Sequence, residues 1–277
     1  MGSPHSPLNS NQFTTLPLDP IDSLVVLGQL LDDHNMAEEV VLIGGQALYL
    51  WSLRYPTRLP PFEEAHLTSK DLDYVRRVGK SIELLVDAWR AKGMKKAGAD
   101  DPHTPHEALV YFVDVDDKDV VVDLMDSVLG VSRSEVLDKA DRIDIGDTPI
   151  WLMNPIHCLF SRVANAFGRG LGEEKYAREV VRIRAAIDIC RGWLNEGLDD
   201  GMNRGDVQSA VRAVNYLVRY CRTSKAREVA RRTAINVADA LPLDHACWNS
   251  SWELTQYQGK TLLPVYDKLV DRVRARR

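Results

Sequence analysis

Val40-Val41-Leu42-Ile43-Gly44-Gly45-Gln46-Ala47-Leu48-Tyr49-Leu50-Trp51, with Ser69-Lys70-Asp71-Leu72-Asp73-Tyr74-Val75 downstream, is the part of this chain from which the rest is read. The four apolar residues Val40 to Ile43 predict a short buried strand. Gly44-Gly45 predicts a turn, and Gln46 to Arg54 a helix. Asp71 and Asp73 stand two apart in a stretch predicted as a strand over about Lys70 to Val75, which puts both carboxylates on one face. Glycines let a backbone approach phosphate closely, and a following helix start offers it unpaired N–H groups. Paired carboxylates hold divalent cations that bridge phosphate oxygens.

Working outward, a hairpin is predicted next: Ala108 to Val113, a turn at Asp116-Asp117, then Asp119-Val120-Val121-Val122-Asp123-Leu124-Met125. Asp123 is flanked by apolar residues, where an ionised carboxylate is costly unless it meets a metal or a cation. It is therefore the third candidate acid. Asp114 and Asp126 lie at strand ends, where water makes a carboxylate inexpensive. A structural role for Asp123 is the competing reading.

This order of strand, Gly-Gly, helix, Asp-x-Asp and a third acid on a later strand resembles the nucleotidyltransferase superfamily. Within it, Ile43-Gly44-Gly45-Gln46-Ala47 with Ser69-Lys70-Asp71-Leu72-Asp73 is most similar to the bacterial abortive-infection toxin nucleotidyltransferases. The resemblance covers roughly Val40 to Met125. It implies an α+β fold, with a mixed β-sheet catalytic domain followed by an all-helical domain and the site between them. It implies Mg²⁺ or Mn²⁺ held by Asp71, Asp73 and Asp123, and a nucleoside triphosphate at Gly44, Gly45, Gln46, Ser69 and Lys70. The implied acceptor is a hydroxyl of RNA, including tRNA, or of protein, in a toxin–antitoxin or phage-defence setting with a cognate antitoxin. The toxin group also carries basic residues near the first joint of the helical part and an aspartate on the next helix. Arg162, Arg169 and Lys175 match the first feature, with Arg162 near the group's lysine, and Asp188 matches the second. An arginine there would bind phosphate through its planar fork. Alternatively, Asp188 pairs with Arg184 or Arg191 on its own helix.

Charge is divided along the chain. Residues 1–153 carry 14 Lys and Arg against 26 Asp and Glu, a balance of −12; residues 154–277 carry 21 against 14, a balance of +7. An acidic half joined to a basic half suits a polyanionic substrate, although arginine-rich solvated helix faces give the same count. A drug-type small-molecule acceptor and a catalytically silent nucleotide-binding module are the alternatives. A dinucleotide-binding turn needs a further glycine that Leu48 to Trp51 do not supply.

The remaining features set bounds. At 277 residues with 27% charged residues, the chain is expected to be globular, with one or two domains. Residues 1–18 are expected to be a disordered tail, 19–153 the catalytic domain and 154–277 the helical domain. Gly2 with Ser6 fits a myristoylation pattern only loosely. Cys158, Cys190, Cys221 and Cys247 lack metal-site spacing and predict free thiols in a reducing cytoplasm. No apolar run reaches the ~20 residues of a membrane span. His103 and His106 fall in a proline-containing loop and are read as loop residues rather than as a metal pair. Helices are predicted over Asp19 to about Asp33, Gly79 to Lys92, Asn154 to Phe167, Glu173 to Leu194, Asp206 to Cys221, Lys225 to Leu241 and Lys260 to Arg276. Prolines 56, 60 and 61 mark a long loop before the Asp-x-Asp, long enough to serve as a lid or specificity loop. A second hairpin is predicted from Asp141 to Gly146 and Thr148 to Met153.

Overall fold

The computed structural model describes residues 20–64, 66–67, 71–77, 81–96, 106–113, 119–167 and 171–274. The N-terminal tail, Asp19, Ser69, Lys70, His103, Asp114, the Asp116-Asp117 turn, Gly168, Arg169 and Gly170 lie outside them. The fold is α+β: a mixed seven-stranded sheet, then a helical C-terminal region.

The sheet is organised on its shortest strand. β1 (Val40–Leu42) is buried at every residue, as an unbroken apolar run requires when both faces are covered. It lies between β2 (Leu72–Arg76), antiparallel to it, and β7 (Thr148–Leu152), parallel to it. β5 (Asp119–Met125) runs parallel to β2 and pairs with β4 (His106–Val113), and β3 (Gly93–Lys96) closes that edge. β6 (Asp141–Ile145) closes the other edge as the hairpin partner of β7. The resulting order is β3-β4-β5-β2-β1-β7-β6. Both hairpins have their strands where the sequence predicts them.

Helix α1 (Pro20–Asp33) packs Leu24, Leu27 and Leu31 into the core and crosses β7. A side-chain carbon at Gly28 would meet the Thr148 methyl at 2.6 Å, so this glycine permits close helix–sheet contact. Helix α2 is Gly44–Arg54, α3 Pro61–Glu64 and α4 Ile82–Ala88, shorter than its sequence pattern. Helix α5 (Arg133–Asp138) has a Ser132/Glu135 capping box. Asn154 caps α6 (Pro155–Ala166): its Oδ1 accepts from Ile156 N–H at 3.0 Å, and its Nδ2 donates to Asp141 at 2.8 Å.

The helical region departs from the pattern in two places. Helix α7 runs Glu173–Arg204, past the expected stop at Leu194 and through Gly197 and Gly201. At Gly201 a Cβ would lie 2.9 Å from the backbone of Asp206 and Val207, so this glycine serves the tight turn into α8 (Val207–Cys221) rather than breaking the helix. Helix α9 (Ser224–Thr233) ends well before Leu241, at Ala234 in the left-handed region. Helix α10 (Trp252–Tyr257) passes through a π turn, Gln258–Leu262, into α11 (Leu263–Arg274), so the last helical stretch begins earlier than predicted. One continuous set of buried apolar side chains, from Leu24 to Leu269, joins the sheet to these helices. Among the described residues no helix is long and apolar enough to cross a membrane. All four cysteines are free and buried.

Candidate functional site

The C-terminal end of β1 delivers the chain into α2. The helix starts at Gly44, two residues before the predicted Gln46, with Ile43 in extended conformation at its cap. Ala47 N–H reaches back to the Ile43 carbonyl at 3.3 Å. Gly44, Gly45 and Gln46 therefore carry first-turn N–H groups that lack a partner within the helix. All three residues are buried. Gly44 sits at φ +71, a conformation that costs an L side chain ~1–2 kcal/mol. A Cβ there would overlap a carboxylate oxygen of Asp73. Only glycine fits both restrictions.

Asp73 is fixed by the same ladder: Ile43 N–H donates to its carbonyl at 2.8 Å. Across the parallel pair, Asp73 is the register partner of Asp123. Register partners in a sheet present side chains on the same face, with strands about 4.8 Å apart. Two of the three predicted acids are thus neighbours beside the first turn of α2, and both are partly buried. Asp71 differs from expectation. β2 begins at Leu72, and Asp71 lies in the bend before it, exposed. Among the described residues, no group of three or more His, Cys, Asp and Glu is gathered closely enough to cage a metal.

Arg162 and Asp188 are both engaged in ion pairs. Arg162 on α6 is only 6% exposed, and its guanidinium meets Glu179 at 3.3 Å. Glu179 is shared with Arg182, at 2.8 Å, and Arg182 in turn donates to the His66 carbonyl at 2.8 Å. Burial pushes the Arg182 pKa down, and the nearby Arg162 charge adds to this. Asp188 pairs with neither Arg184 nor Arg191. It accepts from Arg58, at 2.9 Å from the backbone N–H and 2.8 Å from Nε. Arg184 instead approaches Glu63 at 3.8 Å. The long loop after α2 is therefore held to α7 at Arg58, Glu63 and His66. A cavity of about 510 Å³ opens where loop and helix meet, lined by Arg58, Glu63, Arg184, Asp188, Asp239 and Tyr266.

Sequence reasoning missed Asp141. Its carboxyl is pushed up to about 6, chiefly by burial, with the Asn154 hydrogen bond opposing. The signal was available: Asp141 opens the second hairpin, and its register partner Leu152 lies two residues before the α6 cap. Because β1 and β7 are parallel, Gly44 and Asn154 stand at the same end of the sheet.

No protein-family model matches this chain, and no curated protein sequence does. Solved structures do resemble it. An antigenic nucleotidyltransferase-like protein from Paracoccidioides brasiliensis is 17% identical, with a TM-score of 0.42 over 72% of this chain and 94% of its own. The protein JHP933 from Helicobacter pylori is 14% identical, with a TM-score of 0.39 over 94% of this chain and 97% of its own.

Proposed function

We propose that this chain is a Mg²⁺-dependent nucleotidyltransferase, moving a nucleoside monophosphate from a nucleoside triphosphate to a hydroxyl of RNA, including tRNA, or of protein. The observation that carries this reading is one arrangement: Asp73 packed against a left-handed Gly44 at the start of a helix, with Asp123 beside it in register. The donor set suits magnesium, which is commonly bound through one or two carboxylates, with substrate phosphates and waters completing its shell. When bound, the metal supplies charge stabilisation at the transferring phosphoryl group. Asp73 and Asp123 would hold it. The missing side chain at Gly44 leaves room for the Asp73 carboxylate against the helix start, where first-turn N–H groups favour negative charge. Asp123 is the group suited to accept the acceptor hydroxyl's proton. Displacement at phosphorus asks mostly for positioning and charge, which a rigid sheet register provides.

Asp71, in the bend before β2, belongs to the same proposal as a third metal ligand, and Ser69 and Lys70 as contacts to the nucleotide. A toxin-like role with an antitoxin partner rests on the sequence resemblance. The test is incubation with each labelled nucleoside triphosphate, Mg²⁺ and total RNA or protein. Base-specific labelling that disappears in Asp73→Asn supports the reading. Absence of labelling with every nucleotide in both Mg²⁺ and Mn²⁺ overturns it.

A further inference from the structure

A second cavity, of about 420 Å³, lies between the α5–β6 corner and α8, and its lining includes none of Gly44, Asp73 or Asp123. Its cations are Lys139, at the end of α5, and Arg212 and Arg219 on α8. Arg212 and Arg219 stand seven residues apart on one helix, about two turns, so they project from the same face. None of the three cations makes an ion pair with a described residue. Arg212 donates to Ser209 Oγ at 2.6 Å, and Lys139 Nζ sits 4.1 Å from the Tyr216 ring centroid.

Part of the lining is aromatic. Trp193 of α7 and Tyr216 of α8 line the cavity with His157 of α6. His157 is 1% exposed, and its Nδ1 is enclosed without a hydrogen-bond partner among the described residues. Its Nε2 stands 3.3 Å from the Tyr216 hydroxyl, which donates to Glu135 at 2.8 Å. The Glu135 carboxylate is already engaged by Ser132 and Tyr216, whose hydrogen bonds hold it below the usual carboxylate range. The three cations make this lining complementary to an anion, and Trp193 and Tyr216 supply aromatic surface for a planar group beside it.

We infer that this cavity is a binding site for a small phosphate-bearing anion, held by Lys139, Arg212 and Arg219 against the His157–Tyr216–Trp193 wall. The inference does not depend on the nucleotidyl-transfer reading. Two ligands share the required chemistry: inorganic pyrophosphate and a nucleoside monophosphate.

The test is calorimetric titration of pyrophosphate and, separately, AMP into the full chain in EDTA, which removes any metal-dependent contribution from Asp73 and Asp123. Wild type, the double variant Arg212→Gln/Arg219→Gln and Asp73→Asn are compared. Both arginines are exposed, so their replacement leaves packing intact. The expected result is one site per chain for at least one ligand, weakened at least tenfold in the double variant and unchanged in Asp73→Asn. His157 ring resonances should shift on binding in the wild type. Tighter AMP assigns the aromatic wall to a nucleobase, whereas tighter pyrophosphate assigns the site to the inorganic anion. If the wild type binds neither ligand, or the double variant binds as tightly as the wild type, the proposal is overturned.

Discussion

Like charges are held close together at two places in this molecule, and the surroundings make them different objects. Asp73 and Asp123 stand side by side by β-register, partly buried, next to a glycine that leaves room for a carboxylate. Arg162 and Arg182 converge on one glutamate, with all three residues below a tenth exposed. The first place lies at a helix start and pairs two carboxylates by register. The second is sealed, contains a carboxylate counter-charge in Glu179, and also donates from Arg182 to the His66 carbonyl of the loop that leads to Asp71. The family resemblance implies a phosphate contact at Arg162, which stands near the toxin group's lysine. Three-dimensional context gives it a clamp.

The sharpest way to separate the two is to remove one charge from each. Glu179→Gln leaves two buried guanidinium groups facing a neutral amide, and should cost ~3–5 kcal/mol of stability in urea unfolding. Arg162→Met should cost less, since Arg182 still satisfies Glu179. If Arg162→Met leaves stability intact while nucleotide affinity falls, Arg162 is a ligand and the clamp description is wrong.

At the acidic place, Asp73→Asn and Asp123→Asn should each lower transfer by about a hundredfold or more, the scale of losing a principal charge-stabilising group. The circular-dichroism spectrum should stay native. Mg²⁺ should raise the wild-type melting temperature by mass action and leave both variants unmoved. Unfolding by several kcal/mol in these variants would make the two places alike.

A further substitution probes the outer strand β6 at the same end of the sheet. The Asp141 pKa is raised to about 6 by burial, so the folded protein takes up a proton that the unfolded chain has lost. Stability from this group is therefore full near pH 4 and falls as pH rises through 6. Asp141→Asn should add on the order of 2 kcal/mol at pH 7 and nothing at pH 4. The wild-type profile understates this. His157, pushed down to about 4 mainly by burial, acts in the opposite direction: its contribution is full above pH 6.5 and lost as pH falls towards 4. A pH profile for Asp141→Asn that parallels the wild type would show that Asp141 is not buried as described.

The smallest effect is expected at Gly44→Ala, ~1–2 kcal/mol of backbone strain plus a displaced Asp73 carboxylate. Gly146→Ala supplies the control. It has φ +61 and nothing within 4 Å, so it should lose a similar stability and keep full transfer activity. Equal activity in the two variants would dissociate Gly44 from the site.

What the sequence made legible follows periodicity and punctuation. Asn154-Pro155 predicts the α6 cap because the cap is local, and both hairpins are visible because their apolar strand residues are separated by short polar or glycine-containing turns. β3 was not visible, since Gly93-Met94-Lys95-Lys96 is a polar edge strand with little apolar signal. Helix α5 was missed although Ser132 and Glu135 have capping-box spacing, because only Val136 and Leu137 are buried. Helix α7 outruns the stop that its glycines predict, because Gly201 answers to a neighbouring backbone. At the site, the acids and glycines were legible as types in order. Their register was not. Nor were the Arg58–Asp188 pair, 130 residues apart, or the burial of Arg162, because side-chain partners at such separation leave no local trace.

The position of β1 carries a further consequence, for synthesis. The strand on which the sheet is organised gains β2 and β5 on one side by residue 125, but its neighbour on the other side, β7, is made roughly a hundred residues after β1. At the usual ~5–20 residues per second, one edge of an apolar strand waits on the order of 5–20 s for its partner. During that interval the ribosome-bound chain offers an unpaired β-edge of the kind that recruits foreign strands. The acidic pair and its glycine turn can therefore assemble on a sheet whose other half has not yet been made.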